Sequence, residues 1–508
     1  MNRSRVSLHL VVLVLLLVVS SAFFTTTESR AQELAEHSRV AEALHLMDLW
    51  IDAQVAYEQI PGASVAVVHD QELVWSKGYG LANREEGLPA TPETIYSICS
   101  ISKLFTSVAL MQQRDAGRVR LDDPVKEHLP WFRIQETYAE AGPATVEGLL
   151  THSSGLPRES DHPYWSAPEF EFPTREEIRE RISYQETLYP TLTYYQYSNL
   201  GLSMVGEIVM ATSGMSFDEY IRSRILDPLG MTNTFTEIPA RLHGKGMAVG
   251  YGAMNRDGER LRMPMFQARG IAPAAGFAST VEDLGRFASW QFRLLEGGGT
   301  EILDANTLRE MQRVHWVDED WGAHRGLGFG VWRNDDKTFV GHGGSCPGYK
   351  SHLSLQTGDK VAAAFATNAW EVSPSLYTRR MHEIVGPAIK EAVKEKEPGE
   401  ETGAESGAGA GEAAGASPSG VDLSLYTGRY GTPFGREAAV LVWKGELAVL
   451  YLPTENPAGA LTRLKHVDGH TFRRVRSDDE LGEEYIFEME DGEVVRMIRN
   501  SNFLEKIG

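Results

Sequence analysis

The sequence predicts an α+β fold: one sheet assembled from strands far apart in the chain, a helical insertion between them, and a small all-β unit after them. Three observations predict it. Strand-like runs occur near the start of the long N-terminal part, SVAVVHD (64–70) and LVWSKGYG (73–80), and again near its end, FGVWRN (329–334), TFVGH (338–342), SHLSLQT (351–357) and KVAAAFATN (360–368). The intervening stretch, about 120–300, carries helical patterns with proline-rich connections, so the strands on either side must meet in one sheet. Beyond residue 420 short apolar runs alternate with Lys-Gly and Asp-Gly pairs, which are hairpin signals.

Each element has its own signal. Over residues 34–58, Val40, Leu44, Leu46, Met47, Leu49 and Ile51 follow helical spacing. The two runs that follow make a hairpin around Gln71 and Glu72. In ISKLFTSVALMQQRDAG (101–117), Ile101, Leu104, Phe105, Val108, Ala109 and Met111 keep a three-to-four rhythm, and Gly117 ends the helix as a C′ residue. In the C-terminal part the runs 439–443 and 446–452 flank Lys444-Gly445, and 484–490 and 493–499 flank Asp491-Gly492. With Asp468-Gly469 as a third turn, these predict a small antiparallel barrel or sandwich, and no catalytic constellation is visible in it.

Composition bounds the rest. Of 508 residues, 42% are hydrophobic and 23% charged, as in ordinary globular proteins, which excludes a largely disordered chain. Acidic residues outnumber basic ones 70 to 49, a net charge of −21 that disfavours nucleic acid as a partner. Two cysteines exclude a disulfide scaffold and a four-cysteine zinc module. Arg3 and Arg5, the apolar run Leu10 to Val19 and the small residues Ser20, Ala22, Ser29 and Ala31 form a signal-peptide pattern over 1–31, which predicts a secreted or periplasmic protein. If that segment stayed uncleaved it would be a membrane anchor, the one route of membrane attachment in view. Residues 393–420 are rich in Gly, Ala, Ser, Glu and Pro and predict a flexible linker between a unit at 32–392 and one at 421–508.

Three short patterns could carry chemistry. In Ser100-Ile101-Ser102-Lys103, the i, i+3 spacing puts serine and lysine on one face of the helix that Ser100 opens. A serine there lies beside unpaired backbone N–H groups, and a lysine buried on an apolar helix loses part of its preference for the charged form and can act as a base. Taken alone the pattern also fits an ordinary helix start. Tyr197-Ser198-Asn199 offers a phenol for proton transfer and an amide that can donate to a carbonyl, or else a core tyrosine followed by Asn199 as a helix N-cap. Around His342, Gly341, Gly343 and Gly344 allow close approach to a strand edge whose N–H groups could hold an extended substrate, with the Ser345 N–H as an oxyanion donor. A glycine-rich turn with a bystander histidine fits as well.

In this order, and with their surroundings, the three patterns resemble the serine β-lactamase and penicillin-binding-protein superfamily, in its class C and esterase-like branch. Further matches are LLTHSSGLP (149–157), PLGM (228–231), GFAST (276–280) with Asp283-Leu284, and GLGFG (326–330). The likeness covers about 45–390. YTGRY (426–430) looks like the start of the lipocalin-like barrel often appended to such enzymes. The resemblance implies a β-lactamase-like antiparallel sheet flanked by helices and a serine hydrolase working through an acyl-enzyme. Ser100 would be the nucleophile, and Lys103 and Tyr197 would share the base and acid roles. Asn199, His342, Gly344 and Ser345 would bind substrate, with the N–H groups of Ser100 and Ser345 as the oxyanion hole. It implies no cofactor and no metal, and as partner a small-molecule or peptide substrate.

Two departures shape that expectation. Many β-lactamases and transpeptidases of the superfamily carry lysine where His342 stands. A mostly neutral histidine holds a carboxylate less firmly, which favours an esterase or a D-residue amidase or peptidase over a true β-lactamase. No Glu-x-x-Leu-Asn pattern occurs, which argues against deacylation by a separate glutamate. The alternative is a non-catalytic, penicillin-binding-like protein that binds peptidoglycan. Cys99 and Cys346 flank the motifs; two buried apolar thiols are the reading favoured, a bridge the alternative. His152 and His162 are read as bracketing a solvated loop rather than binding metal, and Tyr164, Trp165 and Phe170 as cleft or plain packing residues.

Overall fold

The computed structural model describes residues 30–396 and 421–508, apart from 167–168, 256, 319–320, 323, 432–436, 477–478 and 500–501. Two compact units divide it: Glu58–His382, and the chain through Tyr57 together with Glu383–Gly508. The predicted leader at 1–31 lies outside the described residues except for its last two, and most of the predicted linker lies outside them too. The helix Pro374–Lys396 takes up 393–396, which composition had assigned to the linker, because Val-Lys-Glu-Lys continues a helix readily.

Six long strands form the sheet of the Glu58–His382 unit: β1 (Gly62–His69), β2 (Glu72–Asn83), β3 (Gly330–Asn334), β4 (Lys337–Cys346), β5 (Tyr349–Gln356) and β6 (Val361–Thr367). Their order is β3-β4-β5-β6-β1-β2, and two-residue strands at Leu88–Pro89, His324–Arg325 and Trp316–Val317 extend the sheet to nine. All the long pairs are antiparallel, and β1 meets β6 in the register Ala63↔Thr367 to His69↔Val361. The predicted meeting of distant strands is thus the β1–β6 ladder. Its residues are buried along nearly their whole length, which is why both strands read as continuous apolar runs rather than alternating ones. The β1–β2 turn lies at Asp70-Gln71, with Asp70 at φ 54°, and not at Gln71-Glu72, because Glu72 already pairs with His69.

The insertion supplies α1 (Ser102–Asp115), α2 (Val146–Thr151), α3 (Asn199–Ser213) and α4 (Val281–Gly297). On α1 the predicted apolar row is buried, and Phe105 stacks 5.3 Å from Phe277 and 4.3 Å from Phe287. The helix stops where predicted, with Gly117 at φ 70°. Ser198, not Asn199, caps α3: its Oγ accepts the Gly201 N–H at 2.8 Å, which leaves the Asn199 side chain free for other partners.

The C-terminal strands close into an eight-stranded barrel, Gly428–Gly431 pairing with Asn502–Lys506 through Tyr430↔Lys506. This settles the barrel-or-sandwich alternative in favour of the barrel. Tyr426, Tyr430, Phe472, Tyr485 and Phe487 fill its core. Lys444-Gly445 and Asp491-Gly492 turn with positive φ at both residues, as tight hairpins require. In the same unit, the helix Ser38–Tyr57 meets the barrel through Trp50 Nε1, which donates to the Thr454 carbonyl at 2.6 Å.

Candidate active site

Ser100 sits in a 3-10 turn, Cys99–Ile101, that leads into α1. The α-helix itself starts at Ser102, two residues after the point expected, because Cys99 is held at φ 52° and the chain enters the helix through a tighter turn. The serine is therefore presented at a bend and remains partly accessible. One turn on, Lys103 is 0% exposed. Its Nζ lies 3.3 Å from Ser100 Oγ, 2.8 Å from Asn199 Oδ1 and 2.8 Å from the Ala274 carbonyl. Burial holds this lysine well below its ordinary range; Glu159 opposes that shift and Arg158 adds to it.

Tyr197 precedes α3 and lines the same cleft as Ser100, while burial pushes its phenol well above the usual range. Three groups fix the ring. Lys103 Nζ lies 4.8 Å from its centroid, the Arg158 guanidinium also 4.8 Å, and the His152 ring 4.3 Å. His152 is 4% exposed, caps α2 in a left-handed conformation, and accepts the Ser198 N–H at 3.1 Å through Nδ1. That corrects the solvated-loop reading: His152 ties the helix before the site to the loop bearing Tyr197. His162 stays half-buried and contacts only Ser160, at 3.3 Å, among the hydrogen bonds described.

Strand β4 forms the opposite wall. It pairs with β3 only as far as Gly341, so residues 342–346 are bonded to β5 on one side and open on the other. Gly344 is obligatory: a Cβ there would lie 2.2 Å from the Ile98 carbonyl oxygen, in the segment that leads to Ser100. Ser351 Oγ donates to that same oxygen at 2.9 Å. The strand edge and the nucleophile turn are also joined covalently. Cys99 and Cys346 form a disulfide, with Cα atoms 5.7 Å apart, and this corrects the reading as two free thiols. The fold brings together residues 247 positions apart, which spacing alone does not reveal.

A cleft of about 490 Å³ opens between the walls, lined by Ser100, Tyr197, Arg158, His342, Ser345 and Lys350 among others. Gly344 lines it as well, whereas Lys103 and Asn199 lie behind it. His342 Nδ1 is 2.6 Å from the Gly343 carbonyl. A carbonyl can only accept, so Nδ1 carries the proton. Burial above all, with the Arg325 cation among its neighbours, pushes His342 down to about 3, so the ring is neutral and Nε2 is an acceptor. The site thus brings together Ser100, Lys103, Tyr197 and Asn199 on the helical side and His342, Gly344 and Ser345 on the strand side.

Four residues at the site were not placed there from sequence: His152, which was read as bracketing a solvated loop, Arg158, Glu159 and Lys350. The first three fall in or next to LLTHSSGLP, a stretch quoted only for its likeness, and nothing in a chain separation of 40 residues ties Glu159 to Asn199. Tyr164 and Phe170 are buried packing residues, with Tyr164 4.8 Å from Phe172, and Trp165 packs 5.3 Å from Tyr164.

Known proteins resemble this chain in sequence and in fold. Residues 47–385 match the Beta-lactamase family model. Beta-lactamase-like protein 2 of Dictyostelium discoideum is 27% identical over 334 residues, which is 64% of this chain and 59% of that protein, so the chain spans little more than half of that relative's length. A penicillin-binding protein homologue from Pyrococcus abyssi superposes with a TM-score of 0.60 at 24% identity, over 91% of this chain and all of that one. The D-amino acid amidase of Ochrobactrum anthropi, solved with L-phenylalanine amide, is 25% identical with a TM-score of 0.56, over 70% of this chain and 99% of that one. By sequence match and fold, the chain belongs to the beta-lactamase family, within the serine β-lactamase and penicillin-binding-protein superfamily.

Proposed function

We propose that the protein is a serine hydrolase that cleaves an ester or a D-amino-acid amide or peptide through an acyl-enzyme on Ser100. The observation that carries this reading is the placement of a fully buried lysine amine 3.3 Å from a partly exposed serine hydroxyl. In the first step the Ser100 proton passes to Lys103, with Tyr197 sharing the base and acid roles from the same cleft, as Oγ attacks the substrate carbonyl. The oxyanion that forms is held by the backbone N–H groups of Ser100 and Ser345. Collapse expels the alcohol or amine, which takes a proton from the Lys103–Tyr197 pair. Water then attacks the acyl-enzyme, the pair removes its proton, and the acid leaves with Ser100 restored.

His342 supports the substrate class. A neutral imidazole with a free acceptor at Nε2 suits a substrate that brings a donor, such as an amide N–H, better than one that brings a carboxylate. The likeness to a D-amino acid amidase points the same way. A disulfide beside the site supports an oxidising compartment, in keeping with the signal-peptide pattern at the N-terminus.

A fluorophosphonate probe and fluorescent penicillin, each applied to the protein and to Ser100→Ala, test the reading. Ser100-dependent fluorophosphonate labelling with turnover of p-nitrophenyl esters is the expected result. No Ser100-dependent adduct with either reagent would remove the enzyme reading, and penicillin labelling with slow release and no ester turnover would favour a penicillin-binding role instead.

A further inference from the structure

Behind Lys103 lies a carboxylate that the proposed chemistry does not yet use. Glu159 follows the Leu-Pro-Arg segment after α2, and its side chain is 22% exposed. Asn199 Nδ2 donates to Glu159 Oε1 at 2.9 Å and to Oε2 at 3.0 Å. The buried Tyr164 hydroxyl donates to Oε2, and Arg158 Nε lies 3.2 Å from Oε1. The chain of contacts runs Tyr164–Glu159–Asn199–Lys103–Ser100.

We propose that Glu159 is a positioning residue that locks the Asn199 amide so that its oxygen faces Lys103 and the lysine lone pair faces Ser100. The inference rests on the serine-hydrolase reading above. Its basis is a count of protons. A carboxylate only accepts, so both of its contacts to Asn199 require the amide nitrogen on that side, and Oδ1 must point the other way. A neutral lysine amine has two N–H groups and one lone pair. Asn199 Oδ1 and the Ala274 carbonyl are both pure acceptors 2.8 Å from Nζ, and they take the two N–H groups. The lone pair is then left for the Ser100 hydroxyl, the third neighbour, at 3.3 Å. With the amide reversed, Nδ2 would donate to that lone pair and occupy the base.

Glu159 also acts through its charge. The groups facing Lys103 are Glu159 and Arg158 from the segment that follows α2, Tyr197 from the segment just before α3, His152 from the end of α2 and His342 from β4. Of these only Glu159 is anionic, and it keeps the lysine from falling further below its ordinary range. Without it the base would be weaker, and protonated only at lower pH.

The test is the rate of fluorophosphonate labelling of Ser100 as a function of pH, in the full-length protein and in Glu159→Gln and Glu159→Asp. In Glu159→Gln the new amide can donate to a reversed Asn199, so labelling should slow about tenfold or more. Its acid limb should move down by roughly half a pH unit, the direction set by losing an anion near a lysine. Glu159→Asp keeps the charge but loses reach; it should label slowly with the acid limb unmoved, and it keeps the test available if the glutamine variant fails to fold. Glu159→Gln labelling at the wild-type rate, or labelling slowly only in proportion to a smaller folded fraction with an unmoved limb, would overturn the proposal. Wild-type protein that shows no Ser100-dependent labelling would instead overturn the hydrolase reading, and a normal wild-type profile separates the two failures.

Discussion

Lys103 makes three polar contacts and is itself shut off from solvent, and that arrangement sets the residue-scale expectations. Lys103→Ala and Tyr197→Phe should each lower the rate of Ser100 acylation, by roughly 10²–10⁴-fold for the lysine, with folding retained by circular dichroism. His342→Lys should raise kcat/KM for carboxylate-bearing substrates relative to neutral esters, since it puts a cation where a neutral ring stands. In the wild type, that preference should stay flat from pH 5 to 8, because His342 gains its proton only at about 3. A preference that rises as the pH falls through 6.5 would show a histidine titrating normally. Ser100 and Lys103 were legible through the order of the three patterns and their family likeness, since the i, i+3 spacing alone also fits an ordinary helix start. Glu159 was not, because its partner Asn199 is brought to it by a loop whose path no local periodicity encodes.

At the scale of elements, the site is a contact between the open edge of β4 and the turn before α1. Gly344 and the Cys99–Cys346 disulfide hold these two together, one by permitting close approach and the other by a covalent tie. Gly344→Ala must push the strand or the Ile98 segment aside, since its methyl would lie 2.2 Å from a backbone oxygen. The expected cost is about 1–3 kcal/mol of stability, read by denaturant unfolding, with a loss of activity in the folded fraction. Thiol titration of the denatured, unreduced protein should find no free cysteine; two would contradict the bridge. The start of the strand was legible from the run at 338–342, whereas its glycine-rich continuation fitted a turn as well. Its exact start of pairing was not, because β3 ends its ladder at Gly341 for reasons set by the sheet as a whole.

For the whole molecule, the sequence located the sheet's distant halves and the hairpins of the barrel, since continuous apolar runs and Asp-Gly turns are strong signals. It did not show that the barrel closes, because closure depends on Tyr430↔Lys506 pairing between the two ends of that unit. Nor did it show how many histidines the Glu58–His382 unit buries in the neutral form. His352 is pushed down to about 4 and His382 to about 3 from an ordinary 6.5, both mainly by burial, and His152 is pushed down as well. Below pH 6.5 the unfolded chain takes up protons that the folded unit refuses, so stability is full above that pH and declines as the pH falls toward 4. Thermal unfolding between pH 7 and 4.5 should show this as a falling Tm, less steep in His352→Gln; a flat Tm would count against it.

The central claim is a covalent intermediate on one serine. Intact mass spectrometry of the protein, quenched during turnover of a p-nitrophenyl ester or of D-phenylalanine amide, tests it most directly. The account predicts a single added acyl mass that maps to the peptide containing Ser100, decays once substrate is exhausted, and is absent in Ser100→Ala. Turnover that persists in Ser100→Ala, or an adduct that maps to another residue, would contradict it.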